Sequence, residues 1–280
     1  MTVSDDSMAA GSRGVVLVTG GSRGLGRAVA LGLGAAGFAV AVVGRSAGEL
    51  EETRAQLDGG GVPSVACVAD VVDPAAVDRA VGVTERELGP ISTLVNNAGS
   101  SRAIGPVWEV DPQDWWTDIE TSLGGTFNFC RRLIPGMIAR QRGRILNVSS
   151  YAGVRAAPYQ SGYACGKAAL TNLTESLAAS LSGHGVRVFA ITPGFVDTEL
   201  TRQMTKTANG RRWLPEAAAR ASLDPDLFVG LAVTIALGGA DALSGRFLHA
   251  LDDIDELLHR TNEIERDDLY VPRLRRLPSS

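Results

Sequence analysis

Tyr163 and Lys167 are the residues of this sequence best suited to proton chemistry. They stand four positions apart in a helical pattern, which places both side chains on one face of the helix. A phenol with a pKa of about 10 is a weak base at neutral pH, and a neighbouring ammonium group favours its ionised form. Ser150 follows an apolar run and could hydrogen-bond to the same substrate oxygen. Together these residues predict acid/base chemistry on a carbonyl or an alcohol.

A glycine-rich turn near the start of the chain predicts a dinucleotide phosphate site. The run Thr19-Gly20-Gly21-Ser22-Arg23-Gly24-Leu25-Gly26 follows an apolar strand pattern and opens a helical one. Its glycines permit a tight turn and close approach of the backbone to a pyrophosphate, which a helix N-terminus favours. The spacing differs from G-x-G-x-x-G, and on this motif alone a glycine turn without a ligand remains the alternative.

Arginines indicate which dinucleotide would bind. The second predicted strand ends at Val43-Gly44-Arg45-Ser46, where the adenosine ribose would lie. An acidic residue there favours NAD, whereas an arginine favours the 2′-phosphate of NADP. Arg45 and Ser46 occupy this position, and Arg23 adds a second cation. We therefore predict NADP(H), with NAD(H) the less favoured cofactor and a solvated loop residue the alternative reading of Arg45.

Two further strand ends supply candidate cofactor contacts. Asp70 and Val71 follow the third strand, where the carboxylate could accept from the adenine amino group. The run Asn96-Asn97-Ala98-Gly99 follows the fourth strand and brings small residues and an amide to the same edge. A plain strand-end turn is the alternative for this run.

The elements that must position these residues alternate along the chain. Short β-branched runs are separated by helical patterns, which predicts an α/β fold. Because the strand runs are apolar throughout, we expect a doubly wound, Rossmann-like parallel sheet of about seven strands with helices on both faces, as a single domain. The predicted strands are Val15–Thr19, Ala39–Val43, Ser64–Val68, Thr93–Asn96, Arg144–Val148, Val186–Ile191 and Arg246–His249.

Domain boundaries follow from the same alternation. The predicted catalytic domain spans residues 14–250 and includes a substrate lid at 199–222. Residues 1–13 are predicted to be a flexible N-terminus. Residues 251–280 form a charged C-terminal extension, read as a helix and tail packed on the body, with contact to a neighbouring subunit as the alternative.

Composition excludes several classes of function. The formal net charge is −4, so no basic excess is available for nucleic acid. The longest apolar run, Leu227 to Ala240, is too short to span a membrane, and the first dozen residues lack the pattern of a secretory signal. We therefore expect a cytoplasmic protein without membrane or nucleic-acid partners. The three cysteines and three histidines are scattered, so no metal site is predicted.

With these motifs, the chain resembles the short-chain dehydrogenase/reductase family from about Gly14 to Ala250. The match includes the Thr-Gly-x-x-x-Gly-x-Gly loop, Asp70, Asn-Asn-Ala-Gly, Ser150, Tyr-x-x-x-Lys and the run Pro193 to Thr198. The resemblance implies hydride transfer between NADP(H) and a small-molecule ketone, aldehyde or alcohol. Tyr163 would be the general acid/base, Lys167 would lower its pKa and hold the ribose, and Ser150 would stabilise the substrate oxygen.

The same resemblance assigns further contacts and an assembly. Pro193, Gly194, the Val196 backbone and the Thr198 hydroxyl would hold the nicotinamide carboxamide. A homodimer or homotetramer is expected. Trp115 and Trp116 lie at the start of the central helix, and we predict that one of them packs in a subunit interface or in the core.

Two departures from the family pattern affect these expectations. Ser122 stands where the family usually carries an asparagine that helps to hold a water linked to the catalytic lysine. This substitution puts the proton relay in doubt and keeps a non-catalytic NADP(H)-binding sensor as the alternative function. The family's C-terminal Asp-Gly-Gly is also absent, so the usual assembly through that edge could differ.

Substrate recognition is predicted after strands four to six and in the lid. Arg102 and Arg155 would bind a carboxylate or phosphate if they face the substrate, and are otherwise solvated. Cys165, between the tyrosine and the lysine, is predicted to be buried and inert. The candidate pocket residues are Ser101, Arg102, Trp108, Val154, Arg155, Tyr159, Phe195, Met204 and Trp213.

Overall fold

The computed structural model describes residues 13–275, except for the side chains at positions 203 and 218. The predicted flexible N-terminus therefore lies outside the described residues apart from Arg13, as does the end of the charged extension.

A parallel sheet of seven strands forms the centre of the molecule, in the order β3-β2-β1-β4-β5-β6-β7. This confirms the predicted fold class and strand number, and every predicted strand is present within two residues of its expected ends. The strands are β1 (Val15–Thr19), β2 (Ala39–Gly44), β3 (Ser64–Val68), β4 (Ile91–Asn96), β5 (Gly143–Val148), β6 (Val186–Thr192) and β7 (Phe247–His249).

The sheet has an apolar core on each face, because side chains alternate along a strand. Val16 and Val18 point into one core, together with Phe189. Val15 and Leu17 point into the other core. All these side chains are buried, which explains why β1 is apolar from Val15 to Val18.

Helices cover both faces of the sheet and complete a single domain. They are α1 (Gly24–Ala35), α2 (Ala47–Gly59), α3 (Pro74–Leu88), α4 (Pro112–Ile119), α5 (Gly125–Ala139), α6 (Ser161–Ser180), α7 (Glu199–Lys206), α8 (Ala208–Trp213), α9 (Pro225–Ala236), α10 (Ile254–His259) and α11 (Thr261–Arg266). A π-helical turn, Glu120–Gly124, joins α4 to α5. No helix among the described residues is long and apolar enough to cross a membrane.

The C-terminal extension packs against the body within the described range. Leu257 of α10 and Ile264 of α11 are buried in the core on the α1 side of the sheet. The Phe247 N–H donates to the Tyr270 carbonyl oxygen at 2.8 Å. Arg273 pairs with Glu175 of α6. The extension is therefore continuous with the main domain along β7.

Candidate active site

A cleft of about 1360 Å³ opens at the carboxyl ends of the strands, where parallel sheets bind ligands. The loops after all seven strands contribute backbone or side chains to it. Predicted site residues that line the cleft are Gly20, Ser22, Arg23, Gly24, Leu25, Gly26, Arg45, Asp70, Val71, Asn97, Ala98, Gly99, Ser101, Arg102, Ser150, Arg155, Tyr159, Tyr163, Lys167, Pro193, Gly194, Phe195, Val196, Thr198, Met204 and Trp213.

The glycine turn forms a compact cradle between β1 and α1. Gly20 and Gly24 have φ values of 64° and 53°, in the left-handed region that favours glycine. A Cβ on Gly26 would collide with the carbonyl oxygen of Gly20. No described side chain caps the first turn of α1. Its amide groups and the small loop residues fit the phosphate oxygens of a dinucleotide.

Asn97 ties the end of β4 to this turn. Its side-chain amide donates to the carbonyl oxygens of Thr19 and Gly20 at 3.0 and 3.3 Å. The Thr19 hydroxyl in turn accepts from the backbone amides of Asn97 and Ala98, both at 3.0 Å. The Asn-Asn-Ala-Gly run therefore holds the glycine turn in position, beyond the cofactor contact predicted for it.

The adenosine end of the cleft carries ion pairs. Arg45 lies 3.8 Å from a carboxylate oxygen of Asp70, and Arg23 lies 3.4 Å from Glu49. Both arginines line the cleft and are more than half exposed. Sequence reasoning did not identify Glu49, because it stands five residues after the end of β2.

Tyr163 and Lys167 lie side by side on α6, both buried. The Lys167 Nζ is 5.7 Å from the centroid of the Tyr163 ring and donates to the Val148 carbonyl oxygen at 2.6 Å. Burial raises the pKa of the Tyr163 phenol, a hydrogen bond with Ser150 opposes that shift, and the charge of Asp118 adds to it. Burial lowers the pKa of Lys167 to about 8. The raised pKa keeps the Tyr163 hydroxyl protonated at neutral pH.

Asp118 of α4 organises the loop beside this pair, although no sequence motif marks it. The carboxylate is fully buried and accepts from the Ser100 hydroxyl at 2.6 Å. It also accepts from the backbone amides of Arg102 and Ala103, at 2.8 and 3.1 Å. These bonds fix the loop that carries Ser101 and Arg102 into the cleft.

Ser122 is not among the residues that line the cleft. It occupies the π-helical turn, and its buried hydroxyl has no hydrogen-bond partner among the described residues. A buried, unpaired hydroxyl is costly, and it is often satisfied by an ordered water. This orphaned group is consistent with the water-holding role that the family pattern gives to this position.

Ser122→Ala tests that role directly. We expect a several-fold lower kcat with little change in KM, because a water-linked path from Lys167 to solvent would be lost. The free energy of unfolding should fall by about 1 kcal/mol, because the ordered water would lose its hydrogen bond to the Ser122 hydroxyl. Steady-state kinetics and chemical denaturation measure the two effects. An unchanged kcat would return Ser122 to a packing role.

Two short helices of the predicted lid, α7 and α8, border the cleft. The Trp213 ring lies 5.0 Å from the Tyr159 ring, and Arg212 pairs with Glu109 at 3.5 Å. Met204 and Ala217 pack on Ile104 in a small apolar cluster. These contacts join the lid to the loops after β4 and β5.

Several sequence predictions are corrected by their placement. Trp108 is 80% exposed and lies outside the cleft lining, as does Val154. Ser46 also lies outside it, and its hydroxyl instead caps α2 by accepting from the Glu49 amide. Cys165 is exposed, because the helix turns it away from the catalytic face. Cys165 lies two residues from Tyr163 and two from Lys167, and on a helix this spacing places it on a different face from both. Its closeness to Tyr163 in the sequence therefore did not indicate burial.

Other cleft residues were missed because they come from distant elements. His249 and Leu251 reach the cleft from the end of β7, and Arg220 from the segment after α8. A Cβ on Gly194 would lie 2.9 Å from the His249 Nε2, so this ring borders the nicotinamide-side loop. Its position after the last strand is the signal that could have identified His249.

Comparison with known proteins agrees with this geometry. The short chain dehydrogenase family model matches residues 14–209. The 3-oxoacyl-[acyl-carrier-protein] reductase FabG of Staphylococcus aureus is 33% identical over 236 residues, covering 83% of this chain and 94% of that protein.

Two solved structures share the fold. A gluconate 5-dehydrogenase from Burkholderia cenocepacia J2315, in complex with NADP and tartrate, has a TM-score of 0.76 and 30% identity, covering 85% of this chain and 93% of that one. An NAD+-bound xylitol dehydrogenase has a TM-score of 0.78 and 27% identity, covering 86% and 98%. The chain belongs to the short-chain dehydrogenase family and is an oxidoreductase of that family.

Proposed function

We propose that the protein is an NADP(H)-dependent oxidoreductase that interconverts a ketone or aldehyde and an alcohol, with Tyr163 as the general acid/base. The observation that carries the proposal is the cluster of Ser150, Tyr163 and Lys167 at the cleft, with the Lys167 Nζ 5.7 Å from the centroid of the Tyr163 ring. Bound NADPH would supply the hydride. Tyr163 would give its proton to the substrate oxygen, and Ser150 would donate a hydrogen bond to it as negative charge develops.

Lys167 would act through its charge and its position. Its pKa of about 8 leaves the ammonium mostly protonated at neutral pH, so it stabilises the phenolate that forms after proton transfer. The cofactor would be held by the glycine turn and by five further residues, Asn97, Pro193, Gly194, Val196 and Thr198. A non-catalytic NADP(H) sensor is the second candidate, and Ser122 in place of asparagine is the observation that favours it.

We expect NADPH to bind more tightly than NADH, because Arg23 and Arg45 face the 2′ position. A charge-assisted pair contributes about 1.5–3 kcal/mol, although the exposure of both arginines places the effect at the lower end, roughly tenfold in Kd. Fluorescence titration of wild type and Arg45→Ala with both cofactors measures this. Equal affinities in wild type, or an Arg45→Ala variant with unchanged NADPH binding, would contradict it.

Arg155 is proposed to bind an anionic group of the substrate. Its guanidinium lies 5.2 Å from the Tyr151 ring centroid at the cleft, without a carboxylate partner among the described residues. Arg102, by contrast, lies 3.8 Å from Asp114. Arg155→Ala should therefore raise KM for a carboxylate- or phosphate-bearing substrate at little cost in kcat. An unaltered KM would favour a neutral, apolar substrate.

Assembly, lid movement and location remain proposals. Trp116 is 54% exposed and Phe127 53% exposed on the α4–α5 face, whereas Trp115 donates from its indole nitrogen to the Ser161 hydroxyl. The exposed rings support a homodimer or homotetramer formed through that face. We propose that the lid at 199–222 closes over bound substrate. The cytoplasmic location stays a prediction.

A further inference from the structure

Glu49 places a carboxylate among the groups that would receive a 2′-phosphate. It lies in the first turn of α2. The Ser22 hydroxyl donates to its Oε2 at 3.1 Å, and the Arg23 Nη1 lies 3.4 Å from its Oε1. Both donors belong to the glycine turn, 26 and 27 residues earlier in the chain.

The partners of Glu49 belong to the cleft itself. Ser22, Arg23, Gly44 and Arg45 all line it. A Cβ on Gly44 would lie 3.5 Å from the Ser22 Cβ, so the turn and the end of β2 are in contact. Glu49 itself is outside the cleft lining, and it reaches the cleft from the α2 side through its bonds to Ser22 and Arg23.

A carboxylate here affects the two dinucleotides in opposite ways. A 2′-phosphate needs the donors that Glu49 already engages, and its negative charge is repelled at short range. A ribose 2′-hydroxyl carries no charge, and it can donate a hydrogen bond to a carboxylate. The exposed fraction of the Glu49 side chain, 34%, leaves it accessible for such a contact.

The neighbouring acidic residues of α2 are engaged elsewhere. Glu52 pairs with Arg27 at 3.1 Å, and Glu51 pairs with Arg54 on the same helix. Of these three carboxylates, Glu49 is the one joined to side chains that line the cleft. Replacing Glu49 can therefore be distinguished from simply removing one negative charge from α2.

We propose that Glu49 is a cofactor-discriminating residue that weakens NADP(H), strengthens NAD(H) and so allows the protein to use both dinucleotides. This inference rests on the proposed function for the identity of the ligand. Arg23 and Arg45 favour the phosphate, and Glu49 limits that preference to a modest one.

The test is isothermal titration of wild type, Glu49→Gln and Glu52→Gln with NADP⁺ and NAD⁺. Glu49→Gln should bind NADP⁺ about tenfold more tightly and NAD⁺ several-fold more weakly, because the charge is lost but the side-chain size is kept. Glu52→Gln, the matched control on the same helix, should change neither affinity. The gain in NADP⁺ binding should shrink at high salt.

Adenosine 2′,5′-bisphosphate and 5′-AMP repeat the comparison without the nicotinamide half. Glu49→Gln should bind the bisphosphate more tightly than wild type does, as it should NADP⁺. Its affinity for 5′-AMP should not increase. Glu49→Ala provides a second variant with the same expected direction if Glu49→Gln folds poorly.

The outcomes separate this inference from the proposed function. An unchanged ratio of NADP⁺ to NAD⁺ affinity in Glu49→Gln, or the same shift in Glu52→Gln, overturns the role of Glu49. Wild type that binds neither dinucleotide overturns both proposals. The expected shift in binding without any carbonyl turnover would uphold the role of Glu49 and reject the catalytic function.

Discussion

Tyr163→Phe is expected to lower carbonyl reduction by about 10²–10⁴-fold while leaving the Kd for NADPH close to the wild-type value. The substitution removes the hydroxyl that would exchange the proton and keeps the buried ring. Tyr163 lies in contact range of Ser150 and Lys167, and no other tyrosine has a lysine four residues later. Steady-state kinetics and fluorescence titration measure the two quantities separately.

Tyr270→Phe is the matched control, because its hydroxyl lies on the C-terminal extension and outside the cleft lining. It should retain the wild-type rate. If Tyr163→Phe kept more than a few per cent of that rate, the proton would come from another group. A loss of NADPH affinity as large as the loss of rate would instead indicate a binding defect.

Lys167→Met should abolish turnover and yet stabilise the protein. The pKa of Lys167 is lowered from 10.5 to about 8 by burial, which corresponds to roughly 3 kcal/mol of cost for holding the charge below pH 8. A methionine cannot donate to the Val148 carbonyl oxygen, and leaving this acceptor without its donor offsets about 1–2 kcal/mol of the gain. A methionine of similar length should therefore raise the free energy of unfolding at pH 7 by about 1–2 kcal/mol.

The sign of the pH dependence follows from the lowered pKa. Between pH 8 and 10.5, Lys167 is protonated in the unfolded chain but has released its proton in the folded protein. The free energy of unfolding of the wild type therefore increases with pH across this window. The stability gap between Lys167→Met and wild type should close across that window. Urea denaturation at several pH values measures it.

Lys206→Met offers the control, because Lys206 is exposed and is the only other lysine of the chain. It should leave the pH profile of stability unchanged. A Lys167→Met variant that is less stable than wild type at pH 7 would mean that the charge is not costly where it lies. Burial would then not be the main influence on the pKa of Lys167.

The sheet could be predicted from sequence because its signals are local. β1 is apolar from Val15 to Val18, and the glycines of the following turn mark a backbone that other residues would strain. Tyr163 and Lys167 could be paired for the same reason, since four residues on a helix fix their relative position.

The residues that sequence reasoning misplaced or missed depend on contacts between distant elements. Glu49 meets Ser22 across 27 residues, and Asp118 meets Arg102 across 16. His249 reaches the cleft only because β7 pairs with β6 at the edge of the sheet. Trp108 was misplaced for the opposite reason. It is close in sequence to predicted pocket residues, but in the fold its side chain is exposed to solvent.

Deuteride transfer from NADPH carrying deuterium at the reactive position tests the catalytic proposal most directly. Wild-type protein would be incubated with this cofactor and a panel of ketones and aldehydes, some neutral and some bearing a carboxylate or phosphate. NADPH consumption would be followed by its near-ultraviolet absorbance, and product deuterium by mass spectrometry. We predict NADPH oxidation with one deuterium in the product alcohol, and neither with Tyr163→Phe. Saturating NADPH binding without oxidation by any carbonyl of the panel would contradict the catalytic account and favour a cofactor-sensing protein.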